Sequence, residues 1–347
     1  MIHPAARIFL DEKVFTPSEF VLIEEVEQWV KPIQRMVSFS LGDEKYFTFL
    51  TSGSTGTPKE IRHSRQMLEA SAKATLDYFS LSPGDRALLV LPAQYIGGAM
   101  MVLRACLGGL GLILQEPRVR PVLPDNLAFV PLTPSQYIAV EQAEGWDTFT
   151  GVVLLGGSSL PALYDVPIEG RRVYIGYGMT ETASHVALRR VGDSVYEGVG
   201  ETLFSLNNDD HLVITAPHLG IEQLITEDLA QIIGQKTFRY LGRSGWVINA
   251  GGVKIHPTHW EQFLSKRGIE AIMVPIPDEN FGQVPVLVVS QRTMLKNWPS
   301  IKKDWSTIPP KWAIVCTELP TVGQGKVNRK GLEDWVRSHQ DLLFPLE

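Results

Sequence analysis

Cysteine is scarce: the 347-residue chain has two, Cys106 and Cys316, too few for a disulfide framework or for a zinc site built on thiols alone. A reducing compartment, the cytoplasm, is the expected location. Basic residues are not in excess, with 32 Lys and Arg against 38 Asp and Glu and a formal charge of -6. No Lys/Arg run supplies the concentrated positive face that a phosphate backbone needs, so nucleic-acid binding is excluded as the main function. No basic stretch followed by a long apolar core opens the chain, and a secretory signal is not expected. The longest apolar stretch, 96–114, carries Arg104 at its middle, where a lipid-embedded charge costs about 2.5 to 3.5 kcal/mol. Gly108, Gly109 and Gly111 break it, and the pattern predicts a buried helix followed by a short strand rather than a membrane span.

What is present is an alternation of elements. Val26, Trp29, Val30 and Ile33 recur at helical spacing and predict an amphipathic helix over 18–36. A strand follows at KYFTFL, then a helix capped by Ser64 whose Met67, Leu68, Ser71, Ala72, Thr75 and Phe79 share one face. Strand-like RALLVL, NLAFVPL, GVVLLGG and RRVYIGYG alternate with helical segments, which argues for mixed α/β layers. From about residue 198 the pattern turns to antiparallel strands with an Asn/Asp turn. A boundary is expected near 240–246, giving a large N-terminal domain over 1–241, a hinge at 242–246 and a small α+β domain over 247–347.

The stretch TSGSTGTPK, 51–59, crowds glycine and hydroxyls before one lysine. Its spacing is not that of the Walker loop, yet the physical logic is similar. Gly53 and Gly56 let the backbone approach an anion, Thr51, Ser52, Ser54, Thr55 and Thr57 supply hydroxyl donors, and Lys59 supplies charge. Alone, such a loop is more often a plain turn. Its company decides: GYGMTET at 176–182, LITEDL at 224–229, LGRSGWVINAGGVKI at 241–255 and PTVGQGKVNR at 320–329 follow in order.

Together these motifs resemble the adenylate-forming superfamily of acyl-CoA ligases, luciferases and peptide-synthetase adenylation domains. The resemblance implies that Thr51, Ser52, Gly53, Ser54, Thr55, Gly56 and Lys59 handle the β and γ phosphates of ATP. It implies that Tyr177, beside Gly178, stacks on adenine, that Thr180 contacts the α-phosphate, and that Glu181 holds Mg²⁺. Asp228 and Arg243 match the ribose-binding pair, Lys326 the catalytic lysine of the small domain, and LLGGSSLP, with Gly156, the segment lining the adenine and acyl pockets. Taken singly, Tyr177 reads more readily as core, Glu181 as a solvated carboxylate and Arg243 as an ion-pair partner.

The chain departs from the pattern at several points. Little precedes the phosphate loop, the family's Thr-Gly-Asp is Thr226-Glu227-Asp228, Gly245 stands where a hinge Asp is common, and Asn249 replaces a Lys. Tyr95 takes the place of a gating His. Within the superfamily, YIGGAMMVLRA followed by GYGMTETASHVALR is most similar to the o-succinylbenzoate-CoA ligases of menaquinone biosynthesis, shortened at the N-terminus. That resemblance implies a small-molecule carboxylic acid with a second carboxylate, to be met by Arg104 among Tyr95, Ser184 and His185, together with ATP, Mg²⁺ and CoA. The alternative for Arg104 is an internal salt bridge. The wider alternatives are another aryl- or acyl-CoA ligase, or a non-catalytic adenylate-binding protein; a homodimer is kept open.

Overall fold

The computed structural model describes residues 2–50, 60–143, 146–161, 163–322 and 326–346. In chain order the first strands are β1 (Arg7–Leu10), β2 (Lys13–Phe15), β3 (Tyr46–Leu50), β4 (Glu60–Ser64), β5 (Arg86–Leu89), β6 (Gly111–Leu114), β7 (Leu127–Leu132), β8 (Val152–Leu155) and β9 (Arg172–Gly178). They continue with β10 (His185–Arg190), β11 (Tyr196–Gly198), β12 (Leu203–Leu206), β13 (His211–Ala216), β14 (Ile221–Gly234) and β15 (Thr237–Arg243). All but β3 and β4 join one 13-stranded sheet in the order β12-β13-β14-β15-β11-β10-β9-β8-β7-β5-β6-β1-β2.

The segment from β9 through β8, β7, β5 and β6 to β1 is parallel, and the rest is antiparallel. Parallel strands buried on both faces read as unbroken apolar runs, and RALLVL and GVVLL do. Ala87 and Leu89 face one core with Leu112, Phe129 and Leu154, whereas Leu88 and Val90 face a second with Val130, Val153 and Tyr137. The first core is roofed by α2 (Lys31–Leu41), α3 (Arg65–Phe79) and α4 (Ile96–Gly108), the second by α5 (Pro134–Glu141). Helix α4 and β6 account for the apolar stretch around Arg104, and no helix among the described residues is long and apolar enough to cross a membrane.

The helix expected over 18–36 is two. A four-residue helix, α1 (Pro17–Phe20), starts from a reciprocal Thr16–Glu19 capping box, and α2 begins only at Lys31. Pro32 explains the break: inside a continuous helix it lacks the N–H and clashes with the carbonyl one turn back, whereas in the first turn it costs nothing. At the N-terminus, β1 docks parallel on β6 and β2 forms the outermost strand, so these first residues make one edge of the sheet.

After β15 the chain makes a 3₁₀ turn at Ser244–Trp246 and enters a second sheet. It holds the β16 (Ile248–Ala250) and β17 (Val253–Ile255) hairpin with β18 (Ala271–Asp278), β19 (Gly282–Val289) and β20 (Trp312–Val315). Again the strands alternate between two cores: Met273, Leu287 and Val289 pack toward α6 (Pro257–Ser265) and Trp298, while Val274, Val286 and Val288 pack toward Leu332 and Val336 of the last helix, Arg329–Ser338.

Candidate active site

The residues expected to hold the nucleotide are brought together by the sheet ladder. Asp228 of β14 and Arg243 of β15 are register partners, and pairing sets their side chains face to face, with Arg243 Nε donating to Asp228 Oδ1 at 3.0 Å. The Tyr177 hydroxyl, arriving from β9, donates to Asp228 Oδ2 at 2.6 Å. Thr226 Oγ1 accepts from the Asp228 N–H and donates to the Leu212 carbonyl, which pins the stretch of β14 where its register with β13 shifts. Glu227, in place of the family glycine, has its side chain 79% exposed and forms a loose ion pair with Arg243 Nη1 at 3.8 Å. Burial, then the Asp228 anion, raises the Tyr177 hydroxyl far above its ordinary pKa, so it remains a donor. Its ring is 9% exposed and packs edge-on to Phe238 at 5.0 Å.

Beyond β9 the chain folds into a 3₁₀ turn, Thr180–Thr182. Gly178 is required by close approach, because a Cβ there would sit 2.1 Å from the Ser184 carbonyl oxygen. Ala183 takes a left-handed φ of 61°, which redirects the backbone into β10. Buried His63 locks this turn: its Nε2 lies 2.6 Å from the Thr180 carbonyl, an acceptor only, so Nε2 carries the hydrogen. Sequence reasoning missed His63, and nothing in its local pattern distinguishes it; only β4 pairing beside the turn reveals it. Gly156, after β8, looks onto open space, with nothing within 4 Å of a Cβ placed there.

Strands β3 and β4 form a hairpin whose last register pair is Leu50 and Glu60, so they bracket the 51–59 loop. Thr51, Ser52, Gly53, Ser54, Thr55, Gly56 and Lys59 themselves lie outside the described residues. Lys326 opens a two-residue strand, Lys326–Val327, paired with Thr321–Val322; its side chain is outside the description. That hairpin leads directly into the last helix, whose Arg329 forms an ion pair with Glu261 and lies over the Trp246 ring at 4.3 Å, beside the inter-sheet turn.

Arg104, expected at the acid, lies on α4. It is 1% exposed, and among the described residues no carboxylate lies within 4.0 Å of it. Nη2 donates to Ser184 Oγ at 2.9 Å, and Nε has no partner. Burial without an anion pushes Arg104 down to about 9, still charged at neutral pH. The internal-salt-bridge alternative is therefore not met among these residues. His185 follows on β10 with Nδ1 3.3 Å from Ser184 Oγ, and Tyr95 is the residue before α4, with no side-chain bond to the helix end.

No group of three or more His, Cys, Asp or Glu side chains gathers into a metal cage among the described residues. Glu181 is a single exposed carboxylate beside Thr180, which fits a cation that arrives on phosphate oxygens and keeps its waters, as Mg²⁺ does, rather than a preformed protein site. A cleft of about 860 Å³ between the two sheets, lined by Asp209, His211, Gln231, Asn249 and Lys254, contains none of the predicted site residues.

Known proteins bear on this geometry. The profile of the AMP-binding enzyme family matches residues 4–209. A 2-succinylbenzoate–CoA ligase of Salmonella typhimurium is 27% identical over 87% of this chain and 70% of its own length. The Escherichia coli protein of that name is 26% identical over 84% of this chain and 69% of its own. Among solved structures, an acyl-CoA synthetase (AMP-forming)/AMP-acid ligase II-like protein from Dyadobacter fermentans superposes with a TM-score of 0.60 at 28% identity, covering 92% of this chain and 95% of that one. The o-succinylbenzoate CoA synthetase of Bacillus subtilis, solved with the acyl-adenylate OSB-AMP, gives 0.68 at 19% identity over 83% and 68% of the two chains. With the ordered motifs carried on this α/β architecture and the family profile spanning more than half of its length, the chain belongs to the AMP-binding enzyme family and has the adenylate-forming fold.

Proposed function

We propose that the protein is an ATP-dependent acid–thiol ligase that converts a carboxylic acid to its acyl-AMP with release of pyrophosphate and then to its CoA thioester, the acid being o-succinylbenzoate. The observation that carries the choice of acid is Arg104, a buried cation with no protein carboxylate in reach and an unpartnered Nε. Such a charge is costly unless an anion joins it, and an acid with a second carboxylate supplies one. The 2-succinylbenzoate–CoA ligases among its relatives support the same reading.

In the first half-reaction the substrate carboxylate attacks the α-phosphorus of ATP, and pyrophosphate leaves. No protein nucleophile is needed; the protein aligns two anions that would otherwise repel. Asp228 and Arg243 hold the ribose, Tyr177 offers its ring to adenine, Thr180 donates to the α-phosphate, and Lys59 and Lys326 offset charge developing in the transition state. Glu181 would hold Mg²⁺, which supplies further neutralisation of the phosphates. The CoA thiol then displaces AMP. Residues 1–241 act as the nucleotide- and acid-binding body, 242–246 as the pivot and 247–347 as a lid bringing Lys326 in and out. The cytoplasm, where ATP and CoA are supplied, is the setting.

Pyrophosphate release across a panel of acids, followed by detection of CoA-dependent thioester, tests this reading. Turnover of o-succinylbenzoate is expected. Release with benzoates or fatty acids alone would assign a different ligase, and no release with any acid would leave an adenylate-binding protein.

A further inference from the structure

We propose that His185 and Thr75 are positioning residues: a one-way chain of hydrogen bonds runs from Arg104 through Ser184, His185 and Thr75 to the Ser71 carbonyl and fixes the guanidinium for the remote carboxylate of the acid. The proposal rests on the acid assignment above, and adds residues of α3 that no motif includes.

The links are Arg104 Nη2 to Ser184 Oγ at 2.9 Å, Ser184 Oγ to His185 Nδ1 at 3.3 Å, His185 Nε2 to Thr75 Oγ1 at 3.2 Å, and Thr75 Oγ1 to the Ser71 carbonyl at 3.1 Å. Their direction follows from proton counting. The Ser71 carbonyl only accepts, so the single Thr75 hydrogen is spent there and Thr75 must accept from His185 Nε2. A neutral ring with its hydrogen on Nε2 has a bare Nδ1, which accepts from Ser184 Oγ. A guanidinium only donates, so Ser184 Oγ in turn accepts from Arg104. The ring stays neutral because burial, then the nearby Arg104 cation, hold its pKa well below the ordinary value.

The chain ties β10 to α4 and α3 across the site. It anchors one end of a side chain with four rotatable bonds, and leaves Arg104 Nε without an acceptor until substrate supplies one. Thr75 is 1% exposed and sits on the buried face of α3, so its hydroxyl has no other visible use. Fixing the guanidinium in advance lowers the ordering cost that binding would otherwise carry.

Thr75→Val keeps the shape and removes the hydroxyl. With the full chain, we expect the KM for o-succinylbenzoate to rise about tenfold, the upper range for losing one hydrogen bond between neutral groups. The kcat, the KM for ATP and the KM for 4-oxo-4-phenylbutanoate, which lacks the ring carboxylate, should stay unchanged, and Thr75→Ser should restore the parent. An equal rise for both acids, or none for the dicarboxylate, would overturn the proposal. Nitrogen-15 NMR of labelled histidine at neutral pH, with the His185 signal identified by its loss in His185→Gln, reads the chain without any acid. A neutral ring with hydrogen on Nε2 supports it, and a hydrogen on Nδ1 or an imidazolium overturns it. Should the protein turn over acids but not o-succinylbenzoate while His185 shows the Nε2 hydrogen, the chain stands and the substrate assignment falls.

Discussion

The Tyr177 hydroxyl and the Asp228 carboxylate, 51 positions apart in sequence, meet in a 2.6 Å hydrogen bond that joins the last parallel strand of the large sheet to its antiparallel part. Tyr177→Phe keeps the ring and removes the donor. Leaving a buried carboxylate oxygen short of a partner costs ~1–3 kcal/mol, so the melting temperature should fall and the KM for ATP should rise several-fold. A melting curve that overlays the parent would remove this bond from the account.

Arg104→Met tests the acid end. Because no protein carboxylate is left behind, the variant should melt no lower than the parent, as replacing a costly buried charge by an apolar chain often does. Its KM for o-succinylbenzoate should rise about 30-fold, the factor given by ~2 kcal/mol, with the KM for ATP unchanged. A lowered melting temperature with parental acid kinetics would make Arg104 a structural residue.

Lys326→Ala should slow acyl-adenylate formation ~10²–10³-fold while calorimetry shows ATP bound nearly as in the parent, since charge that develops only in the transition state is what the lysine meets. An adenylation rate within a few-fold of the parent takes Lys326 out of the chemistry.

Two glycines near the inter-sheet turn separate cleanly. A Cβ on Gly245 meets nothing within 4 Å, whereas Gly242 has φ of +122° and a Cβ there would lie 2.8 Å from Thr258 Oγ1. Gly245→Ala should therefore be neutral and Gly242→Ala destabilising. Gly245→Pro fixes φ near −65°, and is expected to preserve pyrophosphate release in a single turnover while abolishing thioester formation from preformed acyl-adenylate. Parental rates in both half-reactions would move the pivot elsewhere.

By itself the sequence determined the architecture and the family. Parallel strands buried on two faces leave continuous apolar runs, α3 carries its cap at Ser64 and its buried face at helical spacing, and the motifs keep their order. It also held the signal that 18–36 is not one helix, in Pro32. What it did not carry was the pairing of distant side chains. That Asp228 is gripped from both sides, that His63 locks the Thr180 carbonyl, and that Arg104 reaches Ser184 rather than a carboxylate are consequences of strand register and helix packing. Those contacts join residues 15 to 117 positions apart, and hydrophobic periodicity reports only which face of an element is buried, not what lies opposite it. The tautomer proposed for His185 likewise depends on the hydrogen bonds at both of its nitrogens, and those partners come from different elements that only the folded structure brings together.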